Sequence, residues 1–208
     1  MSSLISLDRH VIHRESFKSE LDVRLNPYHR SVPTAMAYGV DSRIGPYGIF
    51  NGTTSKIDTQ SDWIGVGACT ISAWIYATGW GEVGYGRIID NGKFRIHLST
   101  DGRVYLDSNY PSTPGICYTN SSAIVLGKWT HIVATRNSIG TGAFYINGVY
   151  NTQAINSGTP TAGSTDVIIG NNNASSTTFD GNIALFEVRD LVLTADEVAA
   201  LYNRRLYR

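Results

Sequence analysis

The stretch from Gly127 to Gly148 constrains the fold of this chain more than any other. It begins with a tryptophan-led strand of alternating character, Trp129 to Arg136, and a short polar turn then leads into a second strand that ends in Asn147-Gly148. Asn-Gly after an alternating run is the strongest short-range hairpin signal, because both residues tolerate a positive φ. The segment therefore predicts strand, turn, strand and turn inside a β-sheet.

The amino-acid composition favours strands joined by turns in a single domain. Only 16% of the 208 residues are charged, below the usual ~25%, and the chain holds 21 Gly and 12 Tyr. Glycine suits turns, tyrosine suits strands, and an all-β domain of this length is ordinary. The formal net charge is zero. Because nucleic-acid-binding proteins typically carry a basic excess, we expect no nucleic-acid partner.

Neither a targeting segment nor a membrane span is predicted. Asp8, Arg9 and Arg14 interrupt the N-terminal stretch, which is not typical of a secretory signal peptide. No run approaches the ~18 apolar residues of a membrane-spanning helix. Either a signal has already been removed or the protein leaves the cytosol by another route. We therefore expect an extracellular or virion-surface location only by a non-classical route.

The chain contains two cysteines, Cys69 and Cys117. They form either a disulfide or two buried free thiols. Free cysteine is often a core residue, which favours the second alternative.

Residues 1–45 form a charged N-terminal arm, and residues 46–208 form the β-rich domain. The arm carries six of the 17 Lys and Arg residues and five of the 17 Asp and Glu residues. Apolar residues recur at helical spacing near residues 15–25 and predict a short helix. Balanced charge with interspersed apolar residues predicts an arm that orders on a partner or on its own domain. We expect the sandwich to fold without it.

From Tyr47 to Arg189 the pattern is β throughout. Many short strands separated by turn signals predict a sandwich or jelly roll. The tail differs, because Thr194 and Glu197 are spaced as a capping box, in which each side chain bonds the other residue's backbone N–H. This pattern predicts a short C-terminal helix docked on the sandwich.

One strand pattern predicts side-chain directions. Ile71, Ala73 and Ile75 alternate with polar and aromatic residues, so they share one face of a strand and Trp74 lies on the other. Trp74 and Trp129 both sit in strand motifs, where packing is a more frequent role than ligand stacking.

Eight motifs in a fixed order resemble the laminin G-like jelly roll of the concanavalin A-like lectin/glucanase superfamily. They are Phe50-Asn51-Gly52, Thr70 to Ile75, Ile88-Ile89-Asp90, Trp129 to Val133, Phe144 to Gly148, Ile168-Ile169-Gly170, Phe179 to Ala184 and Leu193 to Val198. The resemblance covers roughly residues 47 to 203 and implies two stacked antiparallel sheets, one of them concave. The expected fold is thus an all-β, two-sheet antiparallel jelly-roll sandwich with a short C-terminal helix and an N-terminal extension.

The resemblance does not by itself imply an enzyme. Enzymes of the superfamily place paired carboxylates along one strand, because glycoside cleavage needs an acid and a base or nucleophile. This chain has no Glu-X-Asp-X-X-Glu pattern, and Glu187 and Asp190 fall on opposite faces by their odd spacing. His131 has no second His or Cys at metal-ligand spacing, which favours a structural role. We expect no catalytic activity.

Calcium is a possible cofactor that the resemblance implies. Family members often carry an acidic residue on the last strand, two positions after the Ile of the Phe-Asp-Gly motif, but this chain has Leu185 there. Asp41, Asp62 and Asp180 are weak alternative ligands, since calcium needs several oxygen ligands. An Asp in a turn more often serves its own backbone hydrogen bonds.

Aromatic and amide side chains in loops are the candidate ligand-binding residues. Trp80 and Tyr85 lie in a glycine-rich loop, and Tyr110 and Tyr118 lie in a long proline-containing loop. Exposed loop aromatics stack on sugars or anchor protein contacts. Asn172 offers an amide to sugar hydroxyls. The alternative for each is a loop tucked against its own sandwich or a simple turn.

Two functions are compatible with these patterns. The first is a non-catalytic binding module that recognises a glycan or a protein surface. The second is a structural or decoration protein of a larger assembly such as a virus particle, attached through residues 1–45, with homo-oligomerisation as a related outcome. The position of the arm separates them: packing on its own sandwich favours binding, and contact with a neighbouring subunit favours assembly.

Overall fold

The computed structural model describes residues 10–24, 26–28, 30–112, 117–156 and 158–206. Within these residues the chain forms two antiparallel sheets of eight strands each, with the hydrophobic core between them, and two short α-helices. The all-β, two-sheet prediction is confirmed.

The chain crosses between the two sheets several times. In chain order they are β1 (Val11–Glu15), β2 (Val32–Thr34), β3 (Ala37–Asp41), β4 (Gly45–Asn51), β5 (Lys56–Asp58), β6 (Cys69–Ala77), β7 (Arg87–Asp90), β8 (Arg95–Leu98), β9 (Val104–Asp107), β10 (Cys117–Tyr118), β11 (Trp129–Arg136), β12 (Gly142–Ile146), β13 (Val149–Tyr150), β14 (Ala154–Ile155), β15 (Ile168–Ile169) and β16 (Asp180–Arg189). The helices are α1 (Glu20–Arg24) and α2 (Ala195–Leu206). The first sheet has the order β13-β12-β11-β6-β16-β4-β3, with β1 paired to β16, and the second has the order β14-β10-β9-β8-β7-β15-β5-β2.

Strand β6 lies at the centre of the first sheet, between β11 and β16. Ile71, Ala73 and Ile75 belong to the core between the sheets, whereas Trp74 belongs to a separate cluster on the outer face. The predicted division of this strand into two faces is confirmed. In the register with β11, Trp74 lies opposite His131, so these two side chains share the outer face.

The Asn147-Gly148 hairpin is also confirmed. It joins β12 to β13, and both residues have positive φ, 51° and 80°. Two central residues with positive φ are the requirement of a type I′ turn, whose twist matches that of the flanking strands.

Helix α2 covers part of the outer face of the first sheet. Its start is the predicted capping box: the Thr194 N–H donates to Glu197 Oε2 (2.8 Å), and the Glu197 N–H donates to Thr194 Oγ1 (3.3 Å). Val198 and Leu201 pack with Val133 of β11 in a small apolar cluster. The helix is thus held by its apolar face.

The described part of residues 1–45 packs on the sandwich. Strand β1 pairs with β16, β2 with β5 and β3 with β4, whereas the sequence analysis placed no strand in this region. Phe17 is fully buried in the core, and a Cβ on Gly48 would lie 2.7 Å from Phe17 Cδ1. Helix α1 lies within the predicted helical region. The division at residue 45 into two units stays a prediction.

Cys69 and Cys117 are both buried and not bonded to each other. Burial raises the pKa of Cys69 to about 11 and that of Cys117 to about 12, so both are protonated at neutral pH. Neither helix of the described residues has the length and apolar character to cross a membrane.

Candidate ligand-binding cleft

A cleft of about 370 Å³ opens on the outer face of the first sheet, beside α2. We call it the aromatic cleft. Its lining residues come from β6, the β3–β4 turn, the start of β11, the β12–β13 turn and α2. They are Arg43, Ile44, Trp74, Tyr76, Gly127, Lys128, Trp129, Asn147 and Tyr202.

Neighbouring strands bring the aromatic rings of the cleft together. Trp129 of β11 lies opposite Tyr76 of β6, and their ring centroids are 5.6 Å apart. Tyr47 of β4 meets Trp129 edge-on at the same distance. Trp74 stacks on Tyr202 of α2, with 5.6 Å between centroids and 20° between planes. Such aromatic pairs add stability beyond their buried area and hold the ring faces in fixed orientations.

Asp41 fixes one wall of the aromatic cleft. Its Oδ1 accepts hydrogen bonds from the backbone N–H groups of Arg43 (2.8 Å) and Ile44 (3.0 Å), and its Oδ2 accepts from Trp129 Nε1 (3.2 Å). The Ile44 backbone N–H contributes most to holding the pKa of Asp41 below its usual value. One carboxylate therefore orients both the β3–β4 turn and the indole of Trp129.

The polar groups of the aromatic cleft are mostly hydrogen-bond donors. Arg43 and Lys128 are exposed to solvent. Asn147 uses its Oδ1 to accept from the His131 backbone N–H (2.9 Å), which leaves its amide nitrogen as a donor. No carboxylate is among the described residues that line the cleft.

A buried polar cluster lies beneath α2, next to the aromatic cleft. His131 Nε2 and Ser72 Oγ are 2.9 Å apart. Glu187 accepts from Arg14 Nε (2.8 Å) and also pairs with Arg189. A cavity of only about 10 Å³ separates Glu187 from Trp74, which is the space of a single water. His131 is only 1% exposed, and its structural role stays a prediction.

The structure brings three of the candidate aromatics to the opposite side of the molecule, on the outer face of the second sheet, and one of them, Tyr118, lies in β10 and not in the predicted loop. Tyr85 contacts His97 (centroids 5.8 Å apart), His97 stacks on Tyr105 (5.2 Å), and Tyr105 contacts Tyr118 (5.3 Å). Tyr85 is 51% exposed. We call this row, with the adjacent Tyr110, the second-sheet row.

Buried ion pairs underlie the second-sheet row. The Arg95 guanidinium lies 3.1 Å from the ring centroid of Tyr110 and donates to Asp107 Oδ2 (2.5 Å). Burial, followed by the charge of Arg87, lowers the pKa of His97 to about 3. Tyr110 thus covers a charge that is otherwise costly to bury.

Trp80 and Asn172 lie apart from both surfaces. Trp80 is half-buried against the hydrophobic core. The Asn172 side chain closes its own turn, since Oδ1 accepts from the Ser176 N–H (2.9 Å) and Nδ2 donates to Ser176 Oγ (3.0 Å). These contacts are those of the tucked loop and the simple turn that the sequence analysis gave as alternatives.

The three aspartates proposed for calcium occupy different places. Asp41 supports the aromatic cleft, Asp62 accepts from Asn91 Nδ2 (2.9 Å), and Asp180 accepts from Thr78 Oγ1 (2.8 Å). Among the described residues no three His, Cys, Asp or Glu side chains form a group that could hold a metal ion. The three aspartates do not fit one shared calcium site, and calcium has no part in the function proposed below.

Sequence reasoning missed the aromatic cleft because it assigned Trp74 and Trp129 to packing. The available signal was the alternation of β6, which already placed Trp74 on the face away from the core. Trp74 is only 5% exposed, as expected of a packing residue. The ring that stacks on it, however, is Tyr202 of α2 on the outer face and not a residue of the core between the sheets. The approach of Arg43 and Tyr202 to this face depends on contacts that no local pattern contains.

Two stacked antiparallel sheets with a capped helix on one outer face define a lectin-like jelly roll. The chain belongs to the concanavalin A-like lectin/glucanases superfamily, whose laminin G-like family model matches residues 51–199. No curated protein matches the sequence.

Several solved structures share the fold. Domain 4 of AbnA, an extracellular arabinanase of Geobacillus stearothermophilus solved with arabinotriose, has a TM-score of 0.71 at 20% identity, covering 92% of this chain and 98% of that domain. The binding domain of botulinum neurotoxin serotype D has a TM-score of 0.70 at 14% identity, covering 100% of this chain and 54% of that one. The binding domain of botulinum neurotoxin DC, solved with SialylT, has a TM-score of 0.63 at 14% identity, covering 97% and 53%. The chain spans about half the length of these toxin domains.

Proposed function

We propose that this protein is a non-catalytic binding module that holds a glycan in the aromatic cleft. The observation that carries the proposal is the cleft itself, in which ring faces of Trp129 and Tyr76 stand beside the polar groups of Lys128 and Asn147. Apolar walls with a few placed polar groups are the usual form of a small-ligand site. The C–H face of a sugar packs on such rings while its hydroxyls bond to the rim.

Two of the structural relatives support a glycan as the ligand class. Domain 4 of AbnA was solved with arabinotriose, and the toxin DC binding domain with SialylT. Because the fold supports many functions, the likeness adds to the argument from the cleft and does not replace it.

The carboxylates near the cleft support a non-catalytic role. Glu187 is buried and paired with Arg14 and Arg189, and Asp41 is engaged by backbone groups and Trp129. Glycoside cleavage needs two carboxyl groups that flank one bond. Neither of these two is placed to act on a sugar in the cleft.

The contacts of the N-terminal region favour a binding module over an assembly protein. Strand β1 pairs with β16 of its own sandwich, and Phe17 is buried in the core. Phe17 and Val23 of this segment are thus buried within the same molecule. We keep the second-sheet row, with its exposed Tyr85, as the second candidate ligand surface.

Affinity electrophoresis against a broad panel of polysaccharides tests the proposal. Trp129→Ala should weaken binding to the recognised polysaccharide about tenfold or more, because it removes a stacking face. Trp129→Phe should restore part of the affinity, and Tyr85→Ala should change it by less than about twofold. Circular dichroism spectra confirm that each variant is folded.

Three results would contradict the proposal. A reverse pattern, in which only Tyr85→Ala weakens binding, would move the site to the second-sheet row. Absence of binding to every polysaccharide would exclude a glycan as the ligand. Release of reducing ends from any polysaccharide by the parent protein would show that the protein is catalytic.

A further inference from the structure

The two charged residues that line the aromatic cleft, Arg43 and Lys128, are both cationic. Both side chains are exposed to solvent. The Asp41 carboxylate beside the cleft has both oxygens engaged, one by two backbone N–H groups and one by Trp129 Nε1, and its charge also attracts Arg43. An anion entering the cleft therefore meets two exposed cations, and no carboxylate is among the described residues that line it.

The neutral amide of the cleft also offers a hydrogen-bond donor. The Oδ1 of Asn147 is already bonded to the His131 N–H, which leaves its Nδ2 to donate. A ligand rich in hydrogen-bond acceptors matches this set better than one that presents mainly donors.

The aromatic walls limit which anions fit. Trp129 lies between Tyr47 and Tyr76, and this arrangement presents ring surface rather than further charge. A small inorganic anion gains nothing from the rings, whereas a sugar that carries a carboxylate gains from both the rings and the cations.

We infer that the aromatic cleft selects glycans that contain a carboxylated sugar, with Arg43 and Lys128 binding the carboxylate while the sugar ring packs on Trp129. This inference rests on the proposed function and narrows its ligand class. Arginine is suited to the carboxylate because its planar guanidinium matches both oxygens. Lysine adds a compact charge that tolerates a range of orientations.

Isothermal titration with three matched pairs of oligosaccharides tests the inference. The pairs are trigalacturonate and its methyl ester, sialyllactose and lactose, and a hyaluronan tetrasaccharide and its carboxyl-reduced form. The parent protein should bind the acidic member of at least one pair at least about tenfold more tightly than the neutral member. The preference should shrink as salt is raised, because the rim charges are exposed.

Charge-removing variants identify the residues responsible. Arg43→Gln and Lys128→Gln should each weaken binding of the preferred acidic sugar about tenfold, while binding of its neutral partner changes less than about twofold. Arg30→Gln removes the same charge from an exposed position outside the cleft and should leave both affinities unchanged.

The outcomes separate this inference from the proposed function. Equal binding of acidic and neutral members, lost in Trp129→Ala, would overturn the carboxylate preference and leave the glycan cleft in place. An equal loss in Arg30→Gln would show that net charge rather than the cleft is responsible, which also overturns the preference. Absence of binding to all six oligosaccharides and to the polysaccharide panel would overturn both.

Discussion

At the scale of single residues, Arg136 shows how this sandwich uses a buried charge. It points from β11 toward the interior and is 1% exposed. Its guanidinium donates to the carbonyls of Gly65 (2.7 Å) and Gly67 (2.5 Å) and lies 5.1 Å from the ring centroid of Phe94. Burial lowers its pKa. The residue ties the loop before β6 to the core.

Replacing Arg136 should separate its packing from its hydrogen bonds. We expect Arg136→Ala to lower the free energy of unfolding by about 2–4 kcal/mol, because two carbonyls lose their donor and a cavity forms. Arg136→Met keeps most of the side-chain volume and removes the hydrogen-bond donors, so its free energy of unfolding should lie between those of the parent and Arg136→Ala. Urea titration measures all three, and a loss below about 1 kcal/mol for Arg136→Ala would show that the loop does not need this anchor.

At the same scale, local sequence patterns predicted some positions and missed others for a physical reason. Asn147 and Gly148 could be predicted because the positive φ of a type I′ turn is a property of two neighbouring residues. The outward direction of Trp74 followed from alternation within β6. Its place beside Tyr202 could not be predicted, because that contact joins residues more than one hundred positions apart.

At the scale of elements, β1 is held by polar residues in buried positions. His13 stacks on Trp63, with 4.6 Å between centroids and 11° between planes. Glu15 is buried, accepts from Asn26 Nδ2 (3.1 Å) and lies 3.7 Å from His13 Nε2. Strand predictions rely on apolar residues alternating with polar ones. A strand whose inward positions are His and Glu gives no such signal, which explains why β1 was missed.

Glu15 should make the stability of the protein depend on pH. Burial raises its pKa from 4.5 to about 8, and the hydrogen bond from Asn26 opposes this. A carboxyl whose pKa is higher in the folded state favours folding while it is protonated. Its contribution is complete below about pH 4.5 and is lost as the pH rises toward about 8.

The variant Glu15→Gln tests this dependence. Its free energy of unfolding, relative to the parent, should increase by about 3 kcal/mol between pH 5 and pH 8, because the slope reaches at most roughly 1.4 kcal/mol per pH unit and is smaller near the two pKa values. Glu20→Gln, which changes an exposed carboxylate of α1, is the matched control and should show no such trend. Parallel pH profiles for the parent and Glu15→Gln would mean that Glu15 is ionised in the folded protein.

At the scale of the whole molecule, the order of motifs along the chain was enough to predict the sandwich. Each motif is short, but the set of strands and turns is compatible with few topologies. The extent of the sandwich was harder to predict. Strands β2 and β3 are short, and β2 includes Pro33, which carries no N–H for the ladder. Both strands lie at the edges of their sheets, where a short strand and a proline without an N–H are tolerated.

Deleting residues 1–45 tests whether they are a separate unit. We expect the remaining chain to lose cooperative unfolding, because the deletion removes three strands and the core residue Phe17. Deleting only residues 1–9 keeps all of the contacts described above and is the control. Thermal melts followed by circular dichroism measure the cooperativity of unfolding of both deletion variants. A folded, cooperatively melting fragment 46–208 would support the sequence-based division at residue 45.

The position of α2 at the end of the described chain has a consequence for biosynthesis. The aromatic cleft needs Arg43 near one end and Tyr202 near the other, so it cannot close while the nascent chain is still short. At about 5–20 residues per second, a ribosome takes roughly 10–30 s to travel between these two codons. From the time each of them is made until α2 is complete, Trp74 and Val133 have no helix over them. Because β16 is also made late and pairs with both β4 and β6, the first sheet is completed only shortly before α2 covers its outer face.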